Sequence, residues 1–560
     1  MENGIDITLD PGKKMLWARL GIMIIVCFLA YSNTFQSPLT FDDGANIRDN
    51  HHIRLSELTW KGISEAAFKS PLSNRPVANV SFALNYYFHQ HEVLGYHLVN
   101  LILHITTGIL LYFFIGTTLK LPSVRAMDGP AGWVPFFAAL IWLVHPLQTQ
   151  SVTYIVQRMN SMAACFYVLA FLLYVKARQS KGGVAKGLLF TGCGLAAIMA
   201  MGSKETSATL PFFIFLYEWY FFQELNIAWL KRHARHLAAI LLVLALLALL
   251  YLGADPLETV LAGYGHRDFN MVQRVLTQFR VVLFYLGLLI FPFPARLNLV
   301  HDFPLSHSLT DPVTTLLSMG FVLGLFCVAV FLAKKERLLS FCIFWFLGNL
   351  VIESSIIGLE MVFEHRTYLP SMLMILVFVV LLYRAIPSRR LGMVILCAMT
   401  IIFSVWTYAR NSVWRDNVTL WTDCVIKSPG KPRAHLNLGR ALAGQGKYKS
   451  AVIQFTEALG IKPDYAKAHN NLGAALASQK KYDQAIVHYT RALQIKPGYA
   501  KAHNNLGAAL ANQKKYGQAI AHLTEALRIK PDYESARRNL ALVLQIIHRA
   551  KSPPQGAPAR

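Results

Sequence analysis

Stretches of close to twenty apolar residues recur through the first three quarters of the chain, separated by short connectors rich in charge. A helix of about 20 residues crosses the hydrocarbon core of a bilayer. The pattern predicts spans at 15–32, 96–118, 131–147, 160–177, 184–201, 206–222, 236–253, 311–333, 338–352, 367–383 and 391–409. A lone signal peptide would not be followed by further apolar segments of this length. Near residue 432 the pattern gives way to shorter amphipathic segments that repeat every 34 residues.

Orientation follows from the connectors. Basic clusters at Lys13, Lys14 and Arg19, at Lys176, Arg178, Lys181 and Lys186, at Lys334, Lys335 and Arg337, and at Arg384, Arg389 and Arg390 fall on one side of this scheme. The positive-inside rule makes that side cytoplasmic and puts the N-terminus inside. Residues 276–293 are apolar enough to cross as well, but a crossing there would put every later basic cluster outside. They are therefore expected to form a re-entrant or interfacial helix, which is tolerated where it lines a protein cavity.

The expected fold class is all-α: a polytopic membrane helical bundle of about eleven spans, followed by an α-solenoid. The membrane domain covers 1–410, with external loops at 33–95 and 254–310, and residues 411–431 form a connector holding half of a degenerate repeat. Asn437-Leu438-Gly439 recurs as Asn471-Leu472-Gly473 and Asn505-Leu506-Gly507, and Pro429, Pro463, Pro497 and Pro531 keep the same spacing. This period and the small residues where helices cross identify a tetratricopeptide-repeat domain at 432–549. The tail at 550–560 is expected to be disordered. Stacked helix pairs form a groove that holds a peptide. Asn437, Asn471, Asn505 and Asn539 are candidates to bond an acceptor peptide's backbone, or else to serve packing inside the array.

Composition agrees with a membrane protein, at 54% hydrophobic residues and mean hydropathy +0.39. Many of the basic residues behind the net charge of +24 lie in short clusters between spans, and there is no nucleic-acid motif, so nucleic acid is not an expected partner. The seven cysteines show no metal-ligand spacing.

The scheme leaves a set of charged or hydrogen-bonding residues on the external side. They are Asp42 and Asp43 in FDDG, Arg75 in NRP, His97, His145 in HPLQTQ, Arg158 in VQRMNS, Lys204 and Glu205 in GSKET, and Glu364, His365 and Arg366 in EHRTYLP. Ionisable groups at a membrane boundary are functional candidates by default. Paired acids beside cations suit transfer of a sugar from a polyprenyl phosphate. Cations stabilise the charge that develops on the departing phosphate, and a carboxylate takes the proton of the attacking hydroxyl. In the second span His97, Asn100 and His104 share one helix face, a spacing that serves interhelical hydrogen bonding or donor contact.

FDDG, NRPV, GYHLVNLILH, HPLQTQSVTYIVQR, KET and EHRTYLPSM, in this order, resemble the transmembrane and tetratricopeptide-repeat O-mannosyltransferases and their bacterial relatives. The resemblance implies a GT-C type fold, a dolichyl- or polyprenyl-phosphate sugar donor (mannose by default), inversion at the anomeric carbon and Ser/Thr acceptors. It makes Asp42 and Asp43 the catalytic pair. Arg158, Lys204, His365, Arg366 and Arg75 become candidates for donor-phosphate contact, with His97, His145, Glu205 and Glu364 as further site candidates. No cofactor is required, and a metal is neither required nor excluded. The expected location is a bacterial inner membrane with periplasmic repeats, or an endoplasmic reticulum membrane with luminal ones. The competing readings are a membrane-anchored repeat scaffold without catalysis and a transporter, though the halves lack the pseudo-symmetry of the latter.

Overall fold

A computed structural model describes residues 11–124, 132–253, 255–265 and 267–551. Of the tail expected at 550–560, residues 550 and 551 close the last helix, and 552–560 lie outside the described residues. The chain divides into two units: the first ends at Arg415, and the second runs on from Asp416 and also takes in Val300–Asp302.

Every regular element among the described residues is helical. The first unit contains α1 (Pro11–Tyr31), α2 (Trp60–Lys69), α3 (Pro76–His89), α4 (Val93–Thr118), α5 (Trp133–Leu143), α6 (Thr149–Thr153), α7 (Arg158–Gln179) and α8 (Gly183–Met201). It continues with α9 (Leu210–Tyr217), α10 (Ile227–Leu252), α11 (Pro256–Ala262), α12 (Met271–Ile290), α13 (Thr314–Leu332), α14 (Arg337–Leu350), α15 (Ser371–Ala385) and α16 (Arg389–Ser412). Among the described residues seven helical segments are long and apolar enough to cross a membrane, and α5, α14 and α15 are shorter apolar helices. The chain is a membrane protein by that measure.

Burial sorts these helices into an inside and an outside. The apolar window of α7 is 72% buried, whereas those of α8 and α13 are only 17% buried and leave their side chains for lipid. Around α7 the rings of Phe114, Phe171, Tyr217 and Trp345 pack at centroid separations of 5.4–6.5 Å, in the range where aromatic pairs attract. The segment expected to re-enter is a 20-residue helix, α12, that meets the length and apolarity of a span. The N-terminal part of its buried face is polar, with Arg274, Thr277 and Gln278: Arg274 donates to the carbonyls of Glu353, Ser355 and Glu360 at 2.7, 3.1 and 3.1 Å. A charge buried in the bundle must be met by acceptors, and here those acceptors belong to the loop that follows α14.

The second unit is built of helix pairs α17 (Asn417–Lys427), α18 (Pro432–Gly444), α19 (Tyr448–Ile461), α20 (Ala466–Ser478), α21 (Tyr482–Ile495), α22 (Ala500–Asn512), α23 (Tyr516–Ile529) and α24 (Glu534–Lys551). The recurring glycine is where the two helices of a repeat touch: a Cβ on Gly473 would stand 2.7 Å from the Tyr489 ring, and one on Gly507 2.7 Å from Leu523. The asparagines connect neighbouring repeats. Asn505 donates to Asn470 at 3.0 Å and Asn539 to Asn504 at 2.9 Å, while Asn471 and Asn505 accept from Asn470 and Asn504. Asn437 accepts from Arg440 at 3.4 Å. The packing role expected for this column is therefore occupied within the array.

Candidate active site

The two acids that follow α1 differ in surroundings. Asp43 is buried and Asp42 exposed. Phe41, just before them, takes φ +48, a left-handed conformation that costs an L-residue about 1–2 kcal/mol and turns the chain sharply. Thr40 N–H donates to Asp43 Oδ2 at 2.9 Å, and Val156 N–H donates to Oδ1 at 2.7 Å. Asp42's own N–H donates to the Tyr154 hydroxyl at 2.8 Å. The acidic turn is thus pinned to residues 154–156, directly before α7. Burial pushes Asp43 up to about 8, against the pull of the Thr40 and Val156 N–H groups and of the Arg158 charge. Asp42 keeps its access to water.

In the first turn of α7, Asn160 joins the cations. Its Oδ1 accepts from Lys204 Nζ at 3.1 Å, and its Nδ2 donates to the His365 carbonyl at 2.8 Å. Lys204 also meets Glu353 Oε1 at 2.8 Å, and Arg366 Nε lies 3.9 Å from the same oxygen. Arg366 gives Nη1 to the carbonyls of Glu360 and Met361 at 2.7 and 3.2 Å, but its buried Nε has no hydrogen-bond partner. Beside Lys204 in sequence, Glu205 is held by Arg75 at 3.0 Å and by Asn74. Burial lowers Lys204, with Glu353 opposing. Burial raises Glu353, but Lys204 and Arg366 outweigh it and the carboxyl ends below its usual range.

Val156 and Asn160 are four residues apart, roughly 6 Å along a helix. The acidic pair and the Lys204–Glu353–Arg366 cluster therefore share one end of the bundle. Glu353 was not among the residues singled out from sequence. Its only signal there was an acid immediately after an apolar segment, which many interfacial residues share.

Four candidates have other tasks. Arg158 is fully buried. It donates to Asn100 Oδ1 at 2.7 Å, the Tyr96 carbonyl at 2.9 Å and the Ser81 carbonyl at 3.3 Å, so it ties α7 to α3 and α4 and has no face for a phosphate. His97 reaches the Ser37 carbonyl at 2.8 Å and braces the loop ahead of Asp42. His145 bonds the Leu289 carbonyl at 3.1 Å and accepts from Leu147 N–H at 3.3 Å. Glu364 accepts from Asn298 N–H at 2.5 Å. Asn100 and His104 also bond between elements, to the carbonyls of Val152 and Leu143 at 3.0 and 2.8 Å.

His365 keeps its place in the cluster but not its charge. Burial, then Lys204, Arg366 and Arg75, hold it well below the ordinary histidine range. Gln150 is oriented by its Nε2 donating to the Asn298 carbonyl at 2.8 Å, so its Oε1 accepts from His365 Nδ1–H at 3.2 Å. Nε2 is then the ring's lone-pair nitrogen, suited to accept a hydroxyl proton's hydrogen bond and not to neutralise an anion. Among the described residues no three metal-binding side chains come together.

A helical membrane bundle with opposed carboxylates and cations at one end, continued by a repeat solenoid, is the class of protein that fold and site define. The solenoid matches the family described as tetratricopeptide repeat at residues 466–499 and 500–533, and that described as TPR repeat at 439–480. The chain is similar to Protein O-mannosyl-transferase Tmtc3 of Drosophila melanogaster, with 25% identity over 81% of this chain and 56% of that protein. Protein O-mannosyl-transferase F38B6.6 of Caenorhabditis elegans is 24% identical over 80% and 64% of the two chains. Protein O-mannosyl-transferase TMTC1 of Homo sapiens is 26% identical over 77% and 54%. In each case the similarity covers more than three quarters of this chain. The chain spans between 54% and 64% of the length of these relatives.

Proposed function

We propose that the protein is a membrane glycosyltransferase that moves a sugar, mannose by default, from a polyprenyl or dolichyl phosphate to Ser/Thr hydroxyls of proteins held by the repeat domain. The observation that carries this reading is the buried Arg366 Nε, a donor without a partner beside Lys204, at the same end of the bundle as an exposed and a buried acid. A donor phosphate entering there gives Arg366 its missing acceptor and replaces part of Glu353's hold on Lys204.

In the reaction the acceptor oxygen bonds to the anomeric carbon from the face opposite the phosphate, and the carbon–oxygen bond to phosphate breaks. The electron pair leaves with the lipid phosphate, whose charge rises toward two, and fixed cations stabilise that change. Asp42 takes the hydroxyl proton. A general base contributes roughly 10²–10⁴-fold, and Asp42 is the acid that water and an acceptor can reach. Asp43 anchors the turn and, carrying a proton through much of the neutral range, spares Asp42 a like charge. Displacement at the opposite face inverts the anomeric configuration. The reading puts the site on the non-cytoplasmic side, in a bacterial inner membrane or the endoplasmic reticulum.

The test is transfer by purified protein in vesicles, with polyprenyl-phosphate mannose and an acceptor peptide, read by mass spectrometry of the peptide. Wild type is expected to add one hexose per site and Asp42→Asn to transfer about 10²-fold less or lower still while keeping its fold. Equal peptide modification by both would leave the scaffold reading in its place.

A further inference from the structure

The end of the bundle opposite the acids holds a cavity of about 400 Å³. Helix direction establishes the separation. Tyr96 in the first turn of α4 supports Arg158, and the helix's last residue, Thr118, 22 residues on, lies just before the 122–124 turn at the cavity's edge, about 33 Å away. α14 runs from the cavity at Arg337 toward Glu353, and α15 runs from beside Arg366 back to Arg384.

The cavity is lined by Lys334, Lys335, Arg337 and Arg384, with Glu224 and Glu336. Both acids are taken: Glu336 pairs with Arg384 at 2.9 Å and Glu224 with Arg337 at 3.6 Å. Lys335 lies over the Phe331 ring at 4.5 Å. Neither lysine has a carboxylate partner among the described residues. Scattered basic residues at a cytoplasmic span end need only the positive-inside rule. Four cations around a cavity of a size that takes small ligands are a different arrangement, and basic pockets between helices on this side receive lipid head groups.

We propose that this pocket binds a phosphate group, carried by an anionic phospholipid of the leaflet that surrounds it. Lys334 and Lys335 give it charge-assisted hydrogen bonds, while Glu336 and Glu224 hold the two guanidiniums in place along the walls. The phosphate is distinct from that of the sugar donor, since the two sites lie at opposite ends of the same helices.

The experiment places the full-length protein in nanodiscs of phosphatidylcholine alone or with one fifth phosphatidylglycerol, and adds inorganic phosphate to the first as a separate arm. Thermal unfolding and lipid retention by native mass spectrometry are read for wild type, Lys334→Gln/Lys335→Gln and Lys334→Arg/Lys335→Arg. Phosphatidylglycerol is expected to raise the wild-type midpoint and stay bound. Loss of two lysines at an anionic surface weakens that binding by about thirtyfold, and the arginine pair retains it. Equal stabilisation of wild type and the glutamine variant by phosphatidylglycerol would overturn the site. Stabilisation by inorganic phosphate to the same extent would overturn its assignment to a lipid.

Discussion

Asp43 accepts the Val156 N–H at 2.7 Å, and this bond joins the acid behind the first helix to the entry of α7, the most buried of the seven span-length segments among the described residues. It fixes which of two adjacent carboxylates faces outward. Exchanging the two acids for amides should therefore have unequal effects. Asp42→Asn is expected to lower transfer by 10²-fold or more with an unchanged unfolding midpoint. Asp43→Asn offers one oxygen where two N–H groups need acceptors, and should cost about 1–3 kcal/mol of stability as well as activity. Transfer assays and thermal unfolding on the same samples separate the two.

The pH dependence of stability has a definite sign. Asp43 is pushed up to about 8, against about 3.9 when unfolded. Between those values the folded state holds a proton that the unfolded state has lost. Stability is then fully present below about pH 4 and declines as pH rises through 8. Asp43→Asn should flatten this slope, which unfolding midpoints between pH 5 and 8 will reveal.

Lys204 and Glu353 form a buried ion pair at 2.8 Å. Removing one partner of such a pair typically costs 3–5 kcal/mol, mostly through the charge left behind. Lys204→Met and Glu353→Gln should each destabilise strongly, and the double variant should recover part of the loss. A double-mutant cycle on unfolding free energy measures the coupling. Equal and additive losses would show that the pair is not coupled.

Arg158→Met should behave as a folding mutation. Its guanidinium holds Asn100 and the carbonyls of Tyr96 and Ser81, so two buried acceptors and one part-buried acceptor lose donors together. The expected result is a sharp fall in the amount of monodisperse protein on size exclusion, not a raised KM for the lipid donor in the fraction that folds.

In the repeats, Gly446, Lys480 and Lys514 occupy equivalent turns with φ of +74, +62 and +62. Lysine pays the left-handed penalty that glycine avoids, offset in part by its lower entropy when unfolded. Lys480→Gly and Lys514→Gly should each stabilise the array by about 0.5 kcal/mol, and Gly446→Lys should destabilise it by a similar amount. Gly473→Val should cost about 1–3 kcal/mol by overpacking, because its side chain would meet the Tyr489 ring. Unfolding of the full chain, followed by far-UV circular dichroism, tests both.

Periodicity alone determined a great deal here. Runs of apolar residues as long as a bilayer is thick, and a 34-residue repeat with glycine where helices touch, are one-dimensional signals of one-dimensional constraints. They specified a helical membrane bundle with a repeat solenoid, and charge beside apolar ends drew attention to Asp42, Asp43, Lys204 and Arg366. The number of crossings was less legible, because α12 combines the length of a span with a face of buried Arg274 and Gln278. What the sequence could not decide was which charges face each other. Arg158 and Arg366 look alike as isolated cations at span ends, yet one is enclosed by carbonyls and the other keeps an unpartnered donor. Asp42 and Asp43 are neighbours in the chain with opposite exposure. Burial and hydrogen-bond partners arise from segments more than a hundred residues apart, as between Asp43 and Val156 or Lys204 and Glu353, so only the folded arrangement assigns them.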